Sequence, residues 1–309
     1  MTHTDHVRSL DSVECGPVGL IGLGSMGSAM ARNLIAAGFE LVLHNRSPAK
    51  AEPFRSVAKV AASTREVLER CEAVLLAVQG EAEIDDLLDR SGGRVQAPVR
   101  HTVVINTCTV SPEYSATLAT AVEECGGRYV EAPLSGSRKP AEAGTLIVLA
   151  AARDDRLIDR VQPLFNAIGK GTLRCGAPPE AMRMKLANNL LLITLLVGLA
   201  QAFTFARALG LDPQRFAELV SIGPMANDVF RVKIAKLLDG EFAAEASIVN
   251  VYKDTQLIRA EVDRYRIHAP YAIANASLLA EAIEDGWGED DIIGVARLLE
   301  RATAAGLSI

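Results

Sequence analysis

Short apolar runs alternate with helical patterns over the first 177 residues. The apolar runs predict buried strands at Pro17–Ile21, Phe39–His44, Ala73–Val78, Thr102–Asn106, Arg128–Glu131, Gly144–Ala151 and Thr172–Cys175. Helical spacing and capping residues predict helices over Ser28–Gly38, Ser63–Arg70, Ile84–Arg90, Pro112–Glu124 and Asp154–Ile168. Alternating strands and helices are typical of an α/β fold with a parallel, doubly wound Rossmann sheet. Ligands of such sheets bind at the carboxyl ends of the strands.

One long helix is predicted from Pro178 to Gly210, because Pro-Pro opens the segment, glycine closes it and no proline interrupts it. The stretch from Leu190 to Phe205 is apolar on nearly every face, which predicts a helix buried all round. The stretch is short for a membrane span and contains polar residues, so no membrane association is expected. Lys185 and Asn189 are four residues apart and therefore share one face. Polar groups at a buried helix need a partner, and a substrate is the expected one.

No convincing strand follows Ala177, and the remaining patterns predict helices only. They cover Pro213–Val220, Ala226–Leu238, Ile248–Val262, Ala272–Asp285 and Ile292–Ala304. Three parts are therefore expected: a flexible tail over residues 1–14, a dinucleotide-binding domain over 15–177, and an all-helical substrate and oligomerisation domain over 178–309. Residues 178–210 form the interdomain helix of this scheme.

Composition and charge exclude several partners. The 309 residues carry a formal net charge of −6 and no lysine- or arginine-rich block, which disfavours nucleic acid. The five cysteines are scattered without the spacing of a zinc site or a disulfide framework, so neither a metal nor an oxidising compartment is expected. The first dozen residues are polar and lack an apolar signal region. Together these features favour a cytoplasmic location.

The segment from Gly22 to Gly27, GLGSMG, lies between a predicted strand and a predicted helix, as a dinucleotide-binding fingerprint requires. Gly22 would allow the tight turn, Gly24 the approach of a pyrophosphate, and Gly27 the packing of helix on strand. The N–H groups at the helix start would then face the phosphates. The candidate cofactor residues here are Gly22, Leu23, Gly24, Ser25, Met26 and Gly27.

The next strand ends in His44-Asn45-Arg46-Ser47, and no acidic residue occurs between Glu40 and Glu52. An NAD-selective site usually has an acid here for the ribose 2′-hydroxyl. Arg46 is instead placed to meet a 2′-phosphate, with Asn45 and Ser47 as further donors, so NADP is favoured over NAD. Val78, at the carboxyl end of another strand, is a further candidate cofactor contact.

Four motifs in order resemble the β-hydroxyacid dehydrogenase family, which includes 3-hydroxyisobutyrate dehydrogenases and glyoxylate/succinic semialdehyde reductases. The resemblance covers roughly residues 17 to 305. Residues 19–34 resemble the cofactor motif and residues 131–146, EAPLSGSRKPAEAGTL, the substrate motif, which is most like that of the semialdehyde reductases. Residues 185–189, KLANN, resemble the catalytic motif, and Lys253-Asp254 the family's Lys-Asp pair.

The resemblance implies roles for the matching residues. Lys185 would be the catalytic acid/base, and Asn189 would bind the substrate near its reacting oxygen. Ser135 and Gly136 would hold the substrate carboxylate, with Ser137 alongside. Residues implied at the cofactor side are Thr109, near the nicotinamide and substrate, and Lys253, which would close the site from the helical domain. The resemblance also implies a homodimer or homotetramer.

The chemistry of carbonyl reduction agrees with a lysine in this role, because hydride goes to carbon and a proton goes to oxygen. Lysine can give that proton near neutrality only if its pKa falls by about three units from about 10.4, which corresponds to about 4 kcal/mol. Burial and a second cation such as Lys253 would both lower it. Whether Arg138 and Lys139 are solvated or add positive field for an acidic substrate stays open.

Departures from the family pattern affect the substrate more than the reaction. Pro179 and Ala181 occupy positions where glycines are usual, Asn106 stands where aspartate is common, and Ala246 replaces an aromatic residue of the semialdehyde reductases. We therefore expect an NADPH-preferring oxidoreductase of a small carboxylate-bearing aldehyde or hydroxy acid, with glyoxylate and succinic semialdehyde as leading substrates. The alternatives are an imine reductase, against which Lys185 argues, and a non-catalytic NADPH-binding module.

Overall fold

The computed structural model describes residues 16–305 of the chain. The predicted tail over residues 1–14 lies outside the described residues. The chain divides into two units, one ending at Lys185 and the other beginning at Leu186. The first unit is α/β and the second is helical, so the predicted fold class is confirmed.

The first unit is built on one sheet, which has nine strands within the described residues. Its strands are β1 (Val18–Ile21), β2 (Leu41–His44), β3 (Lys59–Val60), β4 (Ala73–Leu76), β7 (Val103–Asn106), β8 (Arg128–Glu131), β9 (Leu134–Ser135), β10 (Leu146–Ala151) and β11 (Gly169–Gly176), while β5 (Arg90–Ser91) and β6 (Arg94–Val95) form a separate hairpin. The order across the sheet is β11-β10-β8-β7-β4-β1-β2-β3, with β9 paired to β10. From β8 to β3 the pairs are parallel, as the fold class requires.

The helices of this unit cover both faces of the sheet. They are α1 (Ser25–Ala36), α2 (Thr64–Arg70), α3 (Glu81–Leu87), α4 (Pro112–Glu124), α5 (Arg138–Glu142) and α6 (Asp155–Ile168). One apolar core joins α1 and α6 to one face, and a second joins α2, α3 and α4 to the other. Strand β4 contributes side chains to both cores, because Leu75 points to the first and Leu76 to the second. A strand that is buried on both faces is apolar at successive positions, and this is why the sequence of β4 predicts a buried strand.

Several predicted boundaries in the first unit need correction. Strand β10 is antiparallel to β8 and parallel to β11, so the sheet is mixed rather than wholly parallel. Helix α3 begins at Glu81 rather than Ile84, and α1 begins at Ser25, so the glycine motif runs into the first helical turn. Residues 92–93 form the turn of the β5–β6 hairpin.

The second unit contains the longer part of α7 (Glu180–Ala208), which crosses the division after Lys185. The helices that follow are α8 (Pro213–Ile222), α9 (Asp228–Asp239), α10 (Ile248–Tyr265), α11 (Pro270–Glu284) and α12 (Ala296–Ala304), with a 3₁₀ turn over Ile292–Val295. Asp212 caps α8 by accepting the N–H of Gln214 at 2.9 Å. A buried apolar core joins the second-unit part of α7 to the other helices.

The prediction that α7 is buried all round is wrong. Leu191 and Phe205 are 59% and 65% exposed, because no other helix of this unit covers that side of α7 within the described residues. By length and composition alone α7 could cross a membrane, but half of its most apolar window is buried in the protein, as in the core helix of a globular domain. The apolar residues of α7 therefore pack in a core on one side of the helix and form an exposed apolar surface on the other.

Candidate functional site

The glycine motif forms a tight turn between β1 and α1. Gly22 has φ of +102°, and a side chain there would run into the carbonyl of Ala77 at the end of β4. A Cβ at Gly27 would lie 1.9 Å from the carbonyl oxygen of Gly22, so this glycine is required for helix-on-turn packing. Around Gly24, by contrast, a Cβ would meet nothing within 4 Å. The turn is thus packed at its two ends and open in the middle, which is where a pyrophosphate approaches the backbone of such motifs.

The loop after β2 is tied to this turn by Asn45. Its Oδ1 accepts the N–H of Leu23 at 2.8 Å and its Nδ2 donates to the carbonyl of Ser47 at 2.9 Å. Arg46 and Ser47 are exposed beside it. Asn45 therefore shapes the two loops by hydrogen bonds at both ends of its amide, while Arg46 is the cation that faces solvent at the strand end.

The loops after β4 and β7 are also joined. The N–H of Val78 donates to Cys108 Sγ at 3.2 Å, and Thr107 Oγ1 donates to the carbonyl of Leu76 at 2.6 Å. Asn106 Oδ1 accepts the N–H of Cys108 at 3.0 Å, which sets the direction of the chain toward Thr109. These contacts hold Val78 and Thr109 at neighbouring strand ends of one sheet.

The substrate motif leaves β8 as the short strand β9 and then the one-turn helix α5. Gly136 has φ of +133°, and a Cβ there would lie 2.7 Å from a methyl of Leu146, so both conformation and space require glycine. Ser135 is half-buried opposite Ile147 of β10, and Ser137 precedes the first residue of α5. The motif therefore presents two hydroxyls on either side of a fixed glycine turn. Arg138 is exposed and ion-paired with Glu142 at 3.8 Å.

The second turn of α7 carries Lys185, which is 9% exposed. The buried carboxylate of Glu131, at the end of β8, accepts the N–H groups of Ala181 at 2.9 Å and Met182 at 3.2 Å. Burial raises the pKa of Glu131 to about 7, with the nearby Glu180 carboxylate adding to the shift, while hydrogen bonds from Ser115 and the two amides oppose it.

In the second unit, Asn189 is buried and held by a neighbouring helix. Its Nδ2 donates to Asp254 Oδ2 on α10 at 2.8 Å. Its Oδ1 is also buried and has no hydrogen-bond partner among the described residues. Lys253 lies beside Asp254 and is half-buried. A buried amide oxygen without a donor is costly, so this atom is an acceptor available to a ligand hydroxyl.

The residues present fit a nicotinamide dinucleotide. The open stretch at Gly24, the N–H groups at the start of α1 and the exposed Arg46 supply the backbone and cationic contacts that such a cofactor needs. Within residues 16–305 no cluster of three His, Cys, Asp or Glu side chains could hold a metal ion.

The first unit brings most of the predicted site residues to the carboxyl edge of its sheet: the glycine motif, Asn45–Ser47, Val78, Thr109 and Ser135–Gly136. Lys185 ends that unit, while Asn189 and Lys253 belong to the second. The sequence reasoning missed Glu131. One available signal was that Ala177-Pro178-Pro179 offers α7 no capping side chain, so another part of the chain had to supply one.

Comparisons with known proteins agree with this geometry. A family profile described as "NAD binding domain of 6-phosphogluconate dehydrogenase" matches residues 17–177, and one described as "NAD-binding of NADP-dependent 3-hydroxyisobutyrate dehydrogenase" matches residues 180–299. Glyoxylate/succinic semialdehyde reductase 1 of Arabidopsis thaliana is 29% identical over 279 residues, which are 90% of this chain and 96% of that protein.

Solved structures show the same fold. A 3-hydroxyisobutyrate dehydrogenase from Salmonella typhimurium superposes with a TM-score of 0.83 at 22% identity, over 92% of this chain and 99% of that one. Psf3 in complex with NADP+ and 2-OPP gives a TM-score of 0.81 at 24% identity, over 91% and 99% of the two chains.

Proposed function

The chain belongs to the β-hydroxyacid dehydrogenase family, as an NAD(P)-dependent dehydrogenase that acts on CH–OH donors, and from this premise we propose its substrate class, cofactor preference and proton donor. The protein interconverts a small carboxylate-bearing aldehyde and its hydroxy acid with NADP(H). Lys185 is the general acid/base. Glyoxylate and succinic semialdehyde are the leading substrates, in keeping with the Arabidopsis relative's name.

The observation that carries the proposal is the pair of buried polar residues on α7. Lys185 and Asn189 are 9% and 5% exposed and lie four residues apart, so their side chains project from the same face of the helix. The buried Oδ1 of Asn189 suits a donor, and the hydroxyl of a hydroxy acid is one. Asp254 fixes the amide in this orientation through its bond to Nδ2.

When bound, the nicotinamide supplies or accepts the hydride. In the reducing direction, the Lys185 ammonium gives its proton to the carbonyl oxygen as that oxygen gains charge. In the oxidising direction, neutral Lys185 takes the proton from the hydroxyl. Ser135, the N–H of Gly136 and Ser137 supply hydrogen-bond donors for the substrate carboxylate.

The preference for NADP rests on Arg46. It is exposed just after β2, and the segment from Leu41 to Ala51 contains no carboxylate to bind a ribose 2′-hydroxyl. A guanidinium makes charge-assisted, bidentate hydrogen bonds to phosphate, which an adenosine 2′-phosphate offers.

The protein also works as a homo-oligomer, most simply a dimer, with no nucleic acid partner. The support is the apolar surface of the second unit, which includes Leu191, Leu195, Phe205, Leu219, Ile222 and Met225, all more than 40% exposed. Large apolar side chains exposed in this number on one unit favour a protein interface. Analytical ultracentrifugation tests this: a dimer is expected for the wild type, whereas monomers for both the wild type and Phe205→Ser would refute the proposal.

The catalytic proposal is tested by following NADPH oxidation at 340 nm with glyoxylate, succinic semialdehyde, tartronate semialdehyde, methylglyoxal and one cyclic imine. Turnover on the acid-bearing aldehydes, with methylglyoxal much poorer, is the expected pattern. Reduction of the imine without any aldehyde turnover would assign an imine reductase instead. Tight NADPH binding with no turnover would leave a cofactor-binding module.

A further inference from the structure

The start of α7 is anchored by a residue fifty positions earlier in the chain. Its four leading N–H groups have no preceding turn of helix to donate to. The N–H of Glu180 donates to the carbonyl of Ala177 at 2.9 Å, and that of Arg183 to the carbonyl of Pro179 at 3.1 Å. The other two, from Ala181 and Met182, donate to the same oxygen, Oε2 of Glu131. The carboxylate of Glu131, at the end of β8, therefore caps α7 in place of a local capping residue.

Glu131 belongs to a row of buried polar side chains under this edge of the sheet. Asn106 Nδ2 donates to the hydroxyl of Tyr129 at 3.0 Å, and that hydroxyl lies 2.8 Å from Ser115 Oγ. Because Tyr129 accepts from Asn106, its own proton is directed to Ser115, which leaves the Ser115 proton for the carboxylate. Asn106, Ser115, Tyr129 and Glu131 are each fully buried. The row extends from the loop that carries Thr109 to the first turn of α7.

The two residues whose N–H groups donate to Glu131 lie on the face of α7 that carries Lys185. Ala181 and Met182 precede Lys185 by four and three residues, so the three side chains are stacked on adjacent turns, and all three are buried. Resting on the proposed role of Lys185, we propose that Glu131 is a positioning residue for the reaction: its buried carboxylate fixes the first turn of α7 and thereby the place of the Lys185 ammonium. Nothing in this role requires Glu131 to touch the substrate.

The charge of Glu131 is adjustable near neutral pH. Its pKa is raised to about 7, chiefly by burial, so the helix start faces a carboxylate above that pH and a neutral acid below it. The titratable groups facing it are Tyr129 on β8, Cys175 on β11 and Glu180 on α7. Burial raises the pKa of both Tyr129 and Cys175, so both stay neutral from pH 5.5 to 8. Glu180 is the other charge in this range, and it is exposed.

The test compares the full-length wild type with Glu131→Gln, which keeps an acceptor oxygen but has no charge to titrate. The control is Glu180→Gln, which removes the exposed carboxylate from the same turn. At pH 8 we expect kcat of Glu131→Gln to fall about tenfold through loss of the anion at the helix start, while the substrate KM stays within about twofold. At pH 5.5 the wild-type Glu131 is protonated, and the ratio of the two kcat values should approach one. Glu180→Gln should match the wild type at both pH values.

A second readout does not depend on turnover. Hydrogen exchange of a peptide covering residues 178–186 should show faster exchange at the start of α7 in Glu131→Gln at pH 8, with the rest of the first unit unchanged. A kcat ratio that is constant with pH, or unchanged protection of that peptide, would overturn the inference. If the wild type turns over no acid-bearing aldehyde, the proposed function fails, and the exchange measurement still decides whether Glu131 fixes this turn.

Discussion

Alanine at Gly24 and alanine at Gly27 add the same methyl group to one turn, and we expect the two variants to fail in different ways. At Gly24 the backbone has φ of −69°, which alanine adopts without strain, and the methyl group meets nothing within 4 Å. At Gly27 the methyl carbon would lie 1.9 Å from the carbonyl oxygen of Gly22 and 3.3 Å from the Cβ of Ala77. The first methyl group occupies the place where a pyrophosphate approaches, whereas the second collides with the protein itself.

The magnitudes follow from these distances. Relief of the Gly27 clash needs the backbone to move by more than 1 Å, and overpacking of this kind costs about 1–3 kcal/mol or more. For a unit of this size that cost lowers Tm by roughly 3–10 °C. Gly24→Ala should lose no more than about 3 °C in Tm, because a capping glycine replaced by alanine costs no more than about 1 kcal/mol.

The assay measures Tm by calorimetry without cofactor and the NADPH Kd by fluorescence titration, for both variants and the wild type. We expect Gly24→Ala to bind NADPH at least about tenfold more weakly, since its methyl group holds the pyrophosphate away from the backbone. Wild-type affinity in Gly24→Ala would refute the assignment of this turn to the cofactor. A Tm loss in Gly24→Ala equal to that in Gly27→Ala would show that the packing argument is wrong.

Three further predictions concern charge. Arg46→Asp should lower the ratio of kcat/KM for NADPH to that for NADH by at least about tenfold, measured with one substrate at saturation, and an unchanged ratio would remove Arg46 from cofactor choice. Lys233→Met leaves the fully buried carboxylate of Asp291 without the ammonium that lies 2.7 Å from it. This should lower the free energy of unfolding, measured by thermal unfolding, by about 3–5 kcal/mol. Arg231→Met, on the exposed face of the same helix, should lower it by less than about 0.5 kcal/mol. Because the pKa of Glu131 is raised from 4.5 to about 7, the native state binds this proton more tightly than the unfolded chain does. The free energy of unfolding of the wild type should therefore fall by up to about 3 kcal/mol between pH 4.5 and 7, relative to that of Glu131→Gln. Parallel curves of unfolding free energy against pH for the two proteins would contradict this.

The sequence pattern predicted the bounds of an element correctly where local residues mark both of its ends. Helix α4 and strand β8 have the bounds that the pattern predicted, because Ser111-Pro112 starts the helix and a glycine pair separates it from the strand. The β9–α5 segment was not predicted. Its residues, LSGSRKPAEA, show no period of two or 3.6, and the pairing of β9 with the later strand β10 determines their conformation.

Tertiary contacts also explain the errors about α7. The apolar residues on its two sides look alike in the sequence, although one side packs in the core and the other, at Leu191 and Phe205, is exposed. Glu131 escaped notice because a glutamate as the last residue of a strand looks like an ordinary exposed side chain. Only the return of the chain to Ala181 shows that this carboxylate caps the helix.

The most direct test of Lys185 as the proton donor is kcat for the reduction of glyoxylate by NADPH in the wild type, Lys185→Ala and Arg183→Ala. Lys185 is buried, whereas Arg183 is an exposed cation two residues earlier that pairs with Glu180 at 2.7 Å. Loss of a general acid should lower kcat of Lys185→Ala by about 10²–10⁴-fold, with NADPH affinity retained, while Arg183→Ala stays close to the wild type. If Lys185→Ala keeps the wild-type kcat, Lys185 is not the proton donor.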